Sequence, residues 1–141
     1  MEYVRETIRI GVPPARVWAI VSSFGALELW CPLINAVELE GVGIGSIRIA
    51  YLPGIVSREQ LLEVDAGARK IIYSLLDSAA VALRNIRSTM QVVADGPDGS
   101  EVTWFSEADA APDLVKIQAG EMVGAFYRNC LESLKQLMER N

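Results

Sequence analysis

The sequence predicts an α+β domain: a curved, seven-stranded antiparallel sheet wrapped around one long C-terminal helix, with two short helices between strands one and two. Three observations predict it. Residues 113–140 carry apolar side chains three and four residues apart, which makes one wide face on a single long helix. Residues 34–109 divide into six β-rich runs separated by Gly, Pro and Asp, the pattern of successive hairpins and so of antiparallel pairing. The chain has 141 residues, enough for one sizeable core and too few for two, so residues 1–141 are expected to form a single domain.

The elements follow in order. Residues 3–10 (YVRETIRI) alternate as a first strand, ended by Val12-Pro13-Pro14. Pro14 suits a first helical turn, and residues 15–22 (ARVWAIVS) read as a short helix. Residues 24–31 (FGALELWC) read as a second one, stopped at Pro32. Residues 34–40 form a second strand, and Gly41, Gly43 and Gly45 make a turn that needs positive φ. That Gly-Val-Gly-Ile-Gly run lacks the spacing of a phosphate cradle and opens no helix. Strands at 46–52, 56–65, 70–76, 83–94 and 101–109 follow. Pro53-Gly54, Gly67, a loop at 77–82 and the turn Asp95-Gly96-Pro97-Asp98-Gly99 separate them. Strand parity then faces Ile47, Ile49 and Tyr51 inwards and turns Arg48 and Arg87 to the outer face.

Composition excludes several functions. Hydrophobic residues make up 51% and charged ones 22%, a globular composition, and the net charge of −5 argues against a nucleic-acid surface. No run of 18 apolar residues occurs, so no membrane span is expected. The opening MEYVRETIRI lacks the basic start and apolar core of a signal peptide, and a cytoplasmic location is the expectation. Cys31 and Cys130 fit no disulfide framework or metal spacing and are expected as free thiols. There is no histidine, which removes the commonest general base and metal ligand along with every Ser–His or Cys–His nucleophile pair. Neither a metal nor a cofactor is expected.

Particular runs carry a resemblance. VPPARVWAIVSSFGALELWCPLI, GVGIGSIRI, SREQLLEVD and LRNIRSTMQV resemble, in that order and spacing, the successive motifs of the polyketide cyclase/dehydrase and START-like superfamily, also called SRPBCC. Its type members are the birch-pollen-allergen-like helix-grip proteins, and the resemblance covers essentially the whole chain. It is nearest to the branch that contains plant abscisic-acid receptors and their bacterial relatives. Leu52-Pro53-Gly54 falls where those receptors carry a gate loop, but Cys31 stands in place of their carboxylate-binding lysine. Val81-Ala82-Leu83 replaces their second loop, so a hormone-receptor role is not expected.

The resemblance implies a cavity between the concave sheet and the C-terminal helix. Parity and the resemblance together make its candidate lining Trp30, Ile49, Tyr51, Pro53, Glu59, Leu61, Tyr73, Leu75, Ser88, Trp104, Met122, Phe126, Tyr127 and Cys130. The bulky apolar members serve equally well as plain core. A buried phenol needs a partner for its hydroxyl, which singles out Tyr51 and Tyr73. Glu59 stands out because a buried carboxylate costs several kcal/mol unless it is paired.

Two functions of different class fit this reading. The first is binding of a hydrophobic or aromatic small molecule in the cavity. The alternative is a metal-free cyclase/dehydrase-like lyase or isomerase acting on a polyketide or aromatic substrate, with Glu59 and Tyr73 as its acid–base pair. A third, structural reading needs an exposed apolar rim around Leu52-Pro53-Gly54 and would favour a homodimer.

Overall fold

A computed structural model describes residues 1–78 and 81–140. The middle of the loop expected at 77–82, and the final Asn141, lie outside the described residues. The chain runs β1 (Glu2–Ile10), α1 (Pro14–Val21), a 3-10 helix (Phe24–Leu29), β2 (Ala36–Glu40), β3 (Ile47–Leu52), β4 (Ile55–Asp65), β5 (Lys70–Ser78), β6 (Arg87–Ala94), β7 (Ser100–Glu107) and α2 (Asp113–Glu139). All seven strands form one sheet in the order β1-β7-β6-β5-β4-β3-β2, antiparallel throughout. The architecture is therefore the expected α+β helix-grip fold. The second short helix is 3-10 rather than α, broken at Ala26 where ψ reaches 20°.

Local chemistry sets the boundaries. Pro14 opens α1 because its missing N–H would be unpaired there in any case. Gly41, Gly43 and Gly45 take φ of 87°, 72° and 92°, the left-handed turn that the spacing predicted. The sheet ends on one side at β2, whose Glu38 and Glu40 place charge on an otherwise open edge.

At the other edge α2 lies against β1. The backbone carbonyl of Arg9 accepts from Lys135 Nζ at 2.8 Å, and the N–H of Gly11 donates to Glu139 Oε2 at 2.7 Å. Gly120 has its place here: a Cβ on it would sit 2.5 Å from the Tyr3 carbonyl oxygen. Gly124 faces Val4 and Glu6 of the same strand. The two helical glycines thus admit a strand.

The core lies between α2 and the concave face. Tyr127, Cys130, Leu131, Leu134 and Met138 bury one stripe of the helix against Ile10, Val92, Val102 and Trp104 from the sheet and Val17 from α1. Each fully buried aliphatic side chain contributes about 1.5–3 kcal/mol relative to exposure. The stripe does not run the whole length: Leu114 and Ile117, grouped with it by spacing, are 66% and 55% exposed.

Candidate functional site

Pro53-Gly54 decides what the middle of the sheet presents to the interior. This two-residue turn sets Leu52 opposite Ile55, and each step back along the hairpin brings Ala50 opposite Ser57 and Arg48 opposite Glu59. Arg48, Ala50 and Leu52 therefore share the concave face with Ser57 and Glu59. This corrects the expected parity of β3. Ile49 and Tyr51 lie on the convex face, where Ile49 sits between Glu38 and Arg58 and the Tyr51 hydroxyl bonds Glu38 Oε1 at 3.0 Å. The apolar alternation Ile47-Ile49-Tyr51 pointed the other way. A cross-strand ion pair offsets the burial of Arg48, and hydropathy alone does not register such a pair.

The pair is tight and enclosed. Arg48 Nε donates to Glu59 Oε1 at 2.7 Å, and Nη2 forms an ion pair with the same oxygen at 2.6 Å. Arg48 Nη1 donates to the Phe24 carbonyl at 3.1 Å, and Ser57 Oγ donates to Glu59 Oε2 at 3.1 Å. The guanidinium lies against two neighbouring rings, 4.1 Å from the centroid of Phe24 and 4.8 Å from that of Tyr73. Its side chain is 4% exposed and that of Glu59 11%. Burial presses the Arg48 pKa down, but Glu59, with help from Tyr73, more than offsets this and holds it above the ordinary arginine range.

A second set of polar groups runs from β5 to the helix. Trp104 Nε1 donates to the Tyr73 hydroxyl at 3.1 Å. Ser88 Oγ shares a hydrogen bond with the Tyr127 hydroxyl at 3.2 Å and donates to Ser106 Oγ at 3.0 Å. Trp104 and Tyr127 stack with centroids 3.8 Å apart. Burial pushes the phenols of Tyr73 and Tyr127 up, and the nearby Glu59 charge adds to the effect on Tyr73. Both stay protonated at neutral pH and act as hydroxyl donors and acceptors. Among the described residues no buried side-chain nitrogen or oxygen lacks a partner.

Between these groups and α2 lies a cavity of about 480 Å³, within the range usual for small-molecule sites. Of the expected lining, Glu59, Tyr73, Leu75, Ser88, Trp104, Met122, Phe126 and Tyr127 border it. The other six do not. Ile49 and Tyr51 face away, and Pro53 is exposed at its turn. Trp30 is buried with its ring centroid 5.6 Å from Trp104, and Leu61 is plain core. Cys130 is fully buried, and its thiol neighbours that of Cys31, so burial and this contact push the Cys31 thiol up.

Residues that the sequence reading missed complete the wall. Ala50, Leu52, Ile55 and Ser57 come with the hairpin register. Val123, Ala125 and Asn129 come with the helix, while Tyr3, Leu27, Leu33, Ile34 and Val81 come from parts of the chain far apart in sequence. The turn at Pro53-Gly54 held the signal for the first group. For Tyr3 and Leu27 no local signal exists, because only the closed sheet brings them to the cavity. Glu107 and Asp109, the carboxylates at the end of β7 and just beyond it, are both exposed, and Asp109 accepts from Asn85 at 2.7 Å.

Comparison with known proteins agrees with this architecture. No curated protein matches the sequence. Among solved structures, a Thermobifida fusca protein determined by solution NMR superposes with a TM-score of 0.88 at 25% identity, covering 97% of this chain and 93% of that one. The protein XoxI from Bacillus cereus gives 0.83 at 23% identity over 96% and 94%. Norcoclaurine synthase from Thalictrum flavum, solved in complex with dopamine and hydroxybenzaldehyde, gives 0.78 at 18% identity over 98% and 86%. The last two likenesses establish the fold alone. The family model described as polyketide cyclase / dehydrase and lipid transport matches residues 1–139, and the chain belongs to that family.

Proposed function

We propose that this protein binds a hydrophobic or aromatic small molecule in the cavity between the concave sheet and α2. The observation that carries the reading is the wall itself. It is mostly apolar, about 480 Å³ in volume, and its one carboxylate among the described lining residues is already paired with Arg48. The lipid-transport part of the family description and the aromatic ligands of norcoclaurine synthase support the same class of occupant.

Binding is preferred over cyclase/dehydrase chemistry. A general acid or base needs a titratable group that is free to exchange a proton with substrate near neutral pH. The Glu59 charge balances the buried Arg48, which leaves Oε2 able to hold a donor but leaves no carboxylate without a counter-charge, and the Tyr73 hydroxyl already receives Trp104. Its phenol is too weak an acid to work as a base there.

The test is titration with N-phenyl-1-naphthylamine, a neutral apolar dye that fluoresces when taken out of water. One saturable site is expected. Ala50→Phe, which projects a ring from β3 into the cavity, should weaken binding at least roughly tenfold while circular dichroism stays unchanged. A dye that fails to bind, or that binds the folded Ala50→Phe protein equally well, would show that the cavity is not the site.

A further inference from the structure

The charge accounting inside the cavity says which occupant it takes. An ionised carboxylate offers about four lone-pair sites. On Glu59, Oε1 accepts from Arg48 Nε with Nη2 closely paired beside it, and Oε2 uses one site for Ser57 Oγ. Oε2 therefore keeps capacity for one further donor, and Glu59 borders the cavity. Arg48 has nothing comparable to offer. Nε and Nη1 donate to protein oxygens, Nη2 contacts Glu59 Oε1, the rings of Phe24 and Tyr73 lie against the guanidinium, and it does not border the cavity. No Lys or Arg occurs among the described lining residues. The site thus shows its contents an unfilled anionic acceptor and no reachable cation.

We propose, resting on the binding function above, that the cavity selects an uncharged apolar molecule bearing a hydroxyl donor, a phenol or an alcohol, which it directs at Glu59 Oε2, and that it rejects carboxylates. A hydroxyl donated to a carboxylate makes a short, charge-assisted bond in a water-poor site. A carboxylate ligand would set like charges together in a low-dielectric cavity with no cation to offset them. An ammonium ligand would place a second cation beside the buried Arg48. An uncharged donor leaves the Arg48–Glu59 balance intact. Amphiphiles with acidic heads, free fatty acids among them, fall outside the selected class.

Three probes of nearly one shape test this at pH 7 by calorimetric titration: 2-naphthol, naphthalene and 2-naphthoate. Naphthol is expected to bind roughly tenfold or more tighter than naphthalene, from one hydrogen bond to a charged group. Naphthoate is expected to be the weakest of the three. Naphthalene matching naphthol, or naphthoate matching either, overturns the proposal while leaving the binding function in place. If none of the three binds, both fall together. Glu59→Gln removes the anion and keeps the shape. In the folded variant the preference for naphthol over naphthoate should shrink at least about tenfold, and an unchanged preference removes Glu59 as its source. The ranking on the unaltered protein decides the matter even if the variant does not fold.

Discussion

Replacing Arg48 with methionine removes the guanidinium and keeps most of its apolar stem. The loss follows from the contacts. Glu59 gives up the Nε hydrogen bond and the Nη2 ion pair at Oε1, the Phe24 carbonyl gives up its partner, and the rings of Phe24 and Tyr73 lose the cation beside them. Glu59 stays in place, 11% exposed, with Ser57 alone to satisfy it. Breaking a buried ion pair from one side costs about 3–5 kcal/mol, because a charge is left without compensation. An exposed pair contributes about 0–1 kcal/mol. The control is Arg5→Met, since the Arg5–Glu2 pair leaves its side chains 50% and 43% exposed. For a chain of this length the Arg48 loss lowers Tm by about 10–15 °C. Urea unfolding followed by tryptophan fluorescence and circular dichroism reads it. The double variant Arg48→Met/Glu59→Leu should recover to within about 1–2 kcal/mol of the parent, since an apolar replacement of both partners leaves no orphaned charge. An Arg48→Met protein no less stable than Arg5→Met, or a double variant with the summed loss of its two single changes, would refute the reasoning.

Further predictions concern the frame around the cavity. Gly120→Ala should destabilise by about 1–3 kcal/mol although alanine is the better helix former, because the new methyl meets the Tyr3 carbonyl. A more stable variant in urea would show that α2 does not approach β1 so closely. Cys31 and Cys130 are fully buried and the Cys31 thiol is pushed up, so the native protein should react far more slowly with a disulfide reagent than the unfolded chain, which should yield two thiols at once. Rapid release of a thiol from the native state contradicts this. Burial raises the phenols of Tyr3, Tyr73 and Tyr127. The folded state then keeps protons that the unfolded chain loses near pH 10, so this stabilisation is complete below about pH 10 and falls as pH rises beyond it. The urea midpoint should therefore drop between pH 9 and pH 11, and a constant midpoint would contradict it.

Much of this was readable in advance, for physical reasons that can be named. Hairpin punctuation and the helical period set the element order, and the buried stripe of α2 from Tyr127 to Met138 follows its spacing. Inward Glu59, Tyr73, Ser88 and Trp104 follow strand alternation. The parity of β3 did not, because Ile47, Ile49 and Tyr51 look like an inner face and Arg48 like a solvated charge. Yet an inward Glu59 and a two-residue turn at Pro53-Gly54 together require an inward Arg48. Cross-strand register carries that information and hydropathy does not. The hollow itself was beyond reach from composition. Whether Trp30, Leu61 and Cys130 fill space or border it depends on how far α2 stands off the sheet, and that distance is set by β1, Gly120 and the edge contacts of Lys135 and Glu139.

The most direct test of a ligand-bearing cavity is a titration of the isotope-labelled protein with 2-naphthol, followed by amide and methyl NMR. Saturable shifts are predicted at Ala50, Leu75, Val123 and the backbone around Glu59, which border the cavity from β3, β4, β5 and α2. Leu114, Ile117 and Val42, exposed and outside its lining, should stay unmoved. Shifts confined to those exposed apolar residues, with the cavity signals unchanged at saturation, would contradict the account.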